Sequence, residues 1–371
     1  MLHALRLAPR APAAAASSAQ PCASARGRAA RPTAAEQALG APVRLAHTAH
    51  HTAHARDLVR KRDYNAYLTH FAYPHPLQAH FFALRAFHVE LASIKDDVSS
   101  ELLGRVRMGW WRDAVRGIYA NRPPAHPVAL ALRDAVQDPQ VLRTGGLVED
   151  HFQRIIDARE ADLADPLAPP TLADLEQYAE ATSSRMLYLQ LNLLGLSERA
   201  LDELFSHVGK AIGLSILVGA LPFHTHPPPR ARASGGPGGT AMPSASRYAP
   251  QGGAVPRTPT LPLPLEYLVE ANVRQEDVFR NGINARGLRD AVFLTATRAN
   301  DYLITARTHI RDAYGGRIYP RALGPLLLGV GTQQFLHRLE KADFNPYDAR
   351  LQHRAWTLPW HLWRASRRGN L

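Results

Sequence analysis

Between about residues 56 and 349 the apolar side chains return every three or four positions, and that interval constrains the fold more than any other feature of the chain. Leu84, Phe87, Leu91, Ile94 and Val98 follow one another at spacings of 3, 4, 3 and 4. On an α-helix these residues form one stripe, whereas on a strand they would scatter over both faces. The pattern recurs in Val148, Phe152, Ile155, Ile156 and Leu163, and again in Leu175, Tyr178, Ala179, Met186, Leu189 and Leu193. Leu201, Leu204, Phe205, Val208, Ile212 and Leu217 repeat it, as do Leu288, Ala291, Val292, Leu303 and Ala306. Leu323, Leu326, Leu327, Val330, Phe335 and Leu339 give the last strong stripe. No pair of alternating segments joined by a hairpin turn is present. The chain is therefore expected to be all-α, a bundle of roughly eight to ten helices, with Asp174 and Ser197 starting two of them. The most apolar run, 208–223, carries Lys210 and closes on Pro222-Phe223. It falls short of the ~20 residues that a membrane crossing needs and reads as a core helix.

Three segments break the pattern, and they hold the charge. The net charge is +12. Residues 1–50 contribute Arg6, Arg10, Arg26, Arg28, Arg31 and Arg44 against Glu36 alone. Residues 225–260 contribute Arg230, Arg232, Arg247 and Arg257, and residues 350–371 contribute Arg350, Arg354, Arg364, Arg367 and Arg368, without an acid in either. The remainder is close to neutral. A nucleic-acid-binding fold carries its charge as a patch on the body, so nucleic acid is not expected as a partner. The Ala-, Arg- and Ser-rich segment 1–50 has the composition of a mitochondrial transit peptide. Residues 225–264, mostly Pro, Gly, Ser and Arg, read as a disordered insertion within a helical domain spanning 56–349. At the C-terminal segment 350–371, Trp356, Trp360 and Trp363 are spaced for one side of a helix that Pro359 permits from that point on. With Arg364, Arg367 and Arg368 after them, they suit a bilayer interface with anionic headgroups.

Candidate chemistry is sparse. The single cysteine, Cys22, lies in the N-terminal segment, so the body has no thiol nucleophile and no cysteine-ligated metal. Asp157, Glu160, Asp162 and Asp165 fan around their helix and are expected to form a solvated face paired with Arg154 and Arg159. His224 and His226, with His207, lack a further ligand at zinc spacing. Ser183-Ser184 has no nucleophile-elbow context.

Several stretches, in order, carry a resemblance: "FFALRAFHVELASIKDD", "RMGWWRDAVRGIY", "HPVALALRDAV", "IIDAREADL", "TLADLEQYAEATSS" and "HVGKAIGLSILVGALPFH". Together they resemble the squalene/phytoene synthase family over about 60–349, less the insertion. The resemblance implies an isoprenoid-synthase-like helical bundle, in which two aspartate-rich motifs on facing helices bind Mg²⁺ against a prenyl diphosphate. That chemistry needs many acids, because Mg²⁺ demands near-octahedral oxygen ligands and must absorb the leaving group's charge. The first motif, Asp-Asp-x-x-Asp, falls on Ala92, Ser93, Ile94, Lys95 and Asp96, where only the last acid survives. The second falls on 213–224, where Ala220 and His224 stand at the acidic positions and Pro222 lies between them. One of four principal ligand positions remains, so no catalytic residue, metal or cofactor is expected.

"VRKRDYNAYL", "FALRAFHVELASIKD" and "SSRMLYLQLNLLG" further resemble a branch of the family with a mitochondrial presequence and degenerate motifs, the assembly factors of respiratory complex I. That branch usually has arginine where this chain has Gly219, and it lacks the long insertion. The branch implies a non-catalytic scaffold or chaperone that is peripheral on the matrix side of the inner mitochondrial membrane. Its partners would be complex I subunits or assembly intermediates, the inner-membrane lipid surface, and a lipid or isoprenoid held in the old prenyl pocket. Two other readings stay open on sequence: an active head-to-head prenyl-diphosphate synthase with unconventional ligands, and a lipid or isoprenoid carrier.

Overall fold

The computed structural model describes residues 50–98, 100–164, 168–226 and 259–371. The segment 1–49 and most of the expected insertion, 227–258, lie outside the described residues. The described residues are helical, with no strand among them.

The principal helices are α1 (50–62), α2 (Tyr64–Thr69), α3 (Gln78–Asp97), α4 (Glu101–Tyr119), α5 (Pro127–Val136) and α6 (Glu149–Ala161). They continue with α7 (Leu172–Ala179), α8 (Arg185–Leu193), α9 (Arg199–Gly219), α10 (Leu288–Tyr314), α11 (Leu323–Lys341) and α12 (Leu358–Arg368). A π-helical turn, Glu180–Ser184, joins α7 directly to α8. α9 runs along α10 on one side and against the π-turn and α11 on others.

The stripes read from sequence are the buried faces. Leu84, Phe87, Leu91 and Ile94 of α3 are buried, and Val98 is buried just past the helix end in an extended conformation. The Phe87 ring meets Trp111 and Phe152 edge-on, at 5.4 and 5.2 Å. A second cluster gathers Leu214, Val218, Leu288, Val292 and Leu303 around α9 and α10. Leu261 and Leu263 are buried in it, so the tail of the expected 225–264 insertion belongs to the core.

Two helix starts differ from expectation. Thr171, not Asp174, caps α7. Its hydroxyl accepts from the Asp174 amide while the Asp174 carboxylate accepts from the Thr171 amide, a reciprocal capping box. α9 begins at Arg199 behind Glu198, and Ser197 lies outside it.

The folded body also reaches past the expected 56–349. Ala55 is buried. At the other end, Leu358, Leu362 and Ala365 of α12 pack on Leu327 and Val330 of α11. At about 2 kcal/mol for each buried leucine, this contact holds α12 on the bundle. Trp360 and Trp363 point away, 52% and 58% exposed, and Trp356 stands before the helix, 90% exposed. The three tryptophans are thus outside the core, but only two share a helix.

Candidate functional site

Both degenerate motifs line one open cavity of about 790 Å³. Ala92 and Asp96 reach it from α3; Gly213 and Ala220 from α9 and its end; His224 from the short helix Leu221–Thr225 that follows. Ser93 is outside the lining, and its hydroxyl donates to the Glu90 carbonyl at 3.0 Å. The fold therefore assembles the facing helices that the motifs require.

The donors are missing. Ala92 and Ala220 are methyl groups at the cavity wall. α9 stops at Gly219, Ala220 is its C-cap, and Pro222 sits in the first turn of the next helix. The two positions stay one helical turn apart across this break, since the His224 amide donates to the Ala220 carbonyl at 3.1 Å, but neither residue carries a carboxylate.

The acids that do line the cavity are bound to the protein itself. The Lys95 ammonium, one residue before the surviving Asp96, donates to the Asp162 carbonyl and lies 3.5 Å from the Asp162 carboxylate. Arg112 holds Asp157, at 2.7 Å, together with Glu160 outside the lining, at 2.6 Å. These partners differ from the expected Arg154 and Arg159: Arg154 pairs with Asp150, and Arg159 donates to the Tyr178 hydroxyl at 2.7 Å. Asp165 lies outside the described residues. Asp174 is committed to the capping box. Glu180 accepts from the hydroxyls of Tyr188 and Ser206, both at 2.7 Å, with Lys210 3.9 Å away.

A Mg²⁺ ion would have to displace lysine and arginine from these carboxylates and would find alanine at two of its four expected anchor points. Among the described residues no group of three or more His, Cys, Asp or Glu is arranged to hold a metal ion. The donor set does not fit a magnesium–diphosphate cluster.

Burial adds to the mismatch. It pushes the Tyr178 phenol up to about 12, so it stays protonated and neutral beside Arg159. His88, buried 3.5 Å from the same guanidinium, is pushed well below the usual imidazole range and stays neutral. The other candidates are not brought together. His207 packs beside Tyr302 and His309, while His226 lies against Tyr347. The Ser184 hydroxyl donates to the Ser206 carbonyl at 3.2 Å, a helix-packing role. The Lys95–Asp162 contact spans 67 residues of sequence. Lysine beside the surviving acid was its one visible trace.

The squalene/phytoene synthase family model matches residues 59–226 and 256–364. A rat protein named NADH dehydrogenase (ubiquinone) complex I, assembly factor 6, is 33% identical over 307 residues, 83% of this chain and 79% of the relative. The presqualene diphosphate synthase of Rhodopseudomonas palustris is 28% identical over 142 residues, 38% of this chain and 48% of the enzyme. The crystal structure of squalene synthase HpnC from Alicyclobacillus acidocaldarius superposes with a TM-score of 0.60 at 16% identity, covering 81% of this chain and 97% of that one. At that identity the superposition speaks for the fold alone.

Proposed function

This chain belongs to the squalene/phytoene synthase family, and from that premise we propose that it is a non-catalytic member serving as an assembly factor for respiratory complex I. It works in mitochondria, as a peripheral protein on the matrix side of the inner membrane. One observation carries the non-catalytic half: the cavity's carboxylates are held by Lys95, Arg112 and internal hydroxyls, with alanine at Ala92 and Ala220. The assembly half is supported by the relatives named for that role, whose likeness runs over most of the chain, while likeness to the synthase covers 38% of it.

The cavity survives without its metal ligands. Its apolar lining, including Leu91, Met108 and Leu217, suits a lipid or isoprenoid chain or an apolar segment of a complex I subunit. Among the described residues no helix is long and apolar enough to cross a membrane. Trp356, Trp360 and Trp363 with Arg364, Arg367 and Arg368 then form the contact with the bilayer surface.

Deleting the gene and resolving the respiratory complexes on native gels tests this directly. Complex I should be lost while the other complexes persist, and intact complex I refutes the assignment. Purified protein given farnesyl or geranylgeranyl diphosphate with Mg²⁺ should form no product, and turnover refutes the non-catalytic half.

A further inference from the structure

A second cavity, about 700 Å³, lies between α10, α11 and α12, and the family resemblance gives it no role. Three guanidinium groups line it. Arg307 comes from α10, and Arg364 and Arg368 come one turn apart from the same face of α12. None of the three makes an ion pair among the described residues, unlike Arg112, Arg154, Arg298 and Arg350. The acidic side chain in the wall, Glu340, faces His337 at 3.5 Å instead. Asn300, Gln333 and Gln334 add amide groups that can donate to an anion.

Arg307 is the informative residue. It is half-buried and has no hydrogen bond of its own among the described residues. Burial lowers its pKa, yet a guanidinium stays charged at neutral pH. A partly desolvated cation without a counter-ion is costly unless an anion joins it. Arginine pairs with phosphate oxygens in a bidentate fork, and three guanidinium groups converging on one cavity match a phosphate better than a single carboxylate.

The surroundings select the source of that phosphate. Trp360 abuts the cavity, with the Arg364 guanidinium 5.3 Å above its ring and His361, a lining residue, 5.0 Å from it. Trp360 and Trp363 are exposed on the neighbouring face of the same helix. A phosphate bound here would lie at the level where such rings enter a bilayer interface.

We infer that the cavity between α10, α11 and α12 binds the phosphodiester headgroup of an anionic phospholipid, with Arg307 as its inner anchor and Arg364 and Arg368 at its mouth. The choice of a lipid rests on the peripheral-membrane reading above. The site makes attachment through α12 selective for anionic lipid, beyond what tryptophan insertion alone gives.

Full-length protein is tested by flotation with vesicles of phosphatidylcholine alone and of phosphatidylcholine mixed with phosphatidylglycerol. Wild type should favour the mixed vesicles. Arg307→Gln should weaken that binding at least about tenfold, roughly 1.4 kcal/mol, while leaving the weak binding to phosphatidylcholine unchanged. Arg364→Gln with Arg368→Gln, both on the surface, should do the same, which covers the case that Arg307→Gln fails to fold. Trp360→Ser with Trp363→Ser should lower binding to both vesicle types.

Arg307→Gln and the double arginine variant binding the mixed vesicles like wild type would overturn the inference and leave the membrane reading intact. Wild type floating with neither vesicle would overturn the membrane reading. Calorimetry with soluble short-chain phosphatidylglycerol then decides the site by itself: Arg307-dependent binding supports it and no binding overturns it. Inorganic phosphate binding as tightly as the soluble lipid overturns the assignment to lipid.

Discussion

Gly209→Ala should destabilise the protein, although glycine to alanine inside a helix ordinarily does the opposite. Gly209 and Gly213 lie one turn apart on α9 and let it approach the π-turn at Glu180–Ser184. A Cβ built on Gly209 would sit 2.5 Å from the Ser184 Cα and 2.6 Å from its amide nitrogen, with the Ser184 hydroxyl closer still. Ordinary carbon contacts are ~3.5–4.0 Å, so the helices would have to part by about 1 Å, and main-chain atoms cannot rotate away as a side chain can. Alanine brings about 1 kcal/mol of helix propensity. Overpacking typically costs about 1–3 kcal/mol, and with backbone as the obstacle it should reach about 2–4 kcal/mol, which leaves a net loss of about 1–3 kcal/mol. Unfolding entropy of ~2.1 cal/mol/K per residue, over the roughly 290 described residues, converts each kcal/mol into a shift of about 1.5–2 °C, so the melting temperature should fall by roughly 2–5 °C. Gly109, in α4, is the control, since no atom lies within 4 Å of a Cβ built there. Gly109→Ala should gain about 1 kcal/mol and melt about 1–2 °C higher. Both variants are read by circular dichroism at 222 nm on heating. If Gly209→Ala melts at or above wild type while Gly109→Ala behaves as stated, the close approach of α9 to Ser184 is not the constraint described.

Three further outcomes are expected. Lys95→Ala should cost no more than about 1 kcal/mol, because the Asp162 side chain is 43% exposed. Adding Ala92→Asp to it restores two acids one turn apart on α3, yet Ala220 and His224 still face them without carboxylates. This double variant should not turn over farnesyl diphosphate with Mg²⁺, and product would show that the second motif is dispensable. Stability should also fall on acidification. Burial, with Arg185 nearby, lowers His151 from 6.5 to about 4, and burial holds His88 well below its usual range. The unfolded chain therefore takes up protons that the folded one refuses. The stability from these groups is complete above about pH 6.5 and is lost as the pH falls toward 4. His151→Gln should flatten that slope in melting curves across this window, and an unchanged slope removes His151 from the account.

Much of the fold was legible because its cause is local. The stripe Leu84, Phe87, Leu91 and Ile94 buries one face whatever it packs against, and α3 follows from it. Boundaries were less so. Several polar groups near a helix start can satisfy its orphan amides, and only the folded backbone selects Thr171 over Asp174. The end of the Pro- and Gly-rich stretch is illegible for a related reason. Leu261 and Leu263 sit among prolines, where no periodicity marks them, yet both are buried against α9 and α10.

The sequence by itself determined that this is a helical bundle and that Ala92 and Ala220 offer no oxygen donor, since helical period and side-chain chemistry belong to single positions. Only the tertiary structure decided what became of the acids that remain, where α9 meets the π-turn, and that Arg307 shares a cavity with Arg364 and Arg368. Those are contacts between residues far apart along the chain. Their distances are set by how the helices pack, and the intervals along the sequence do not contain them.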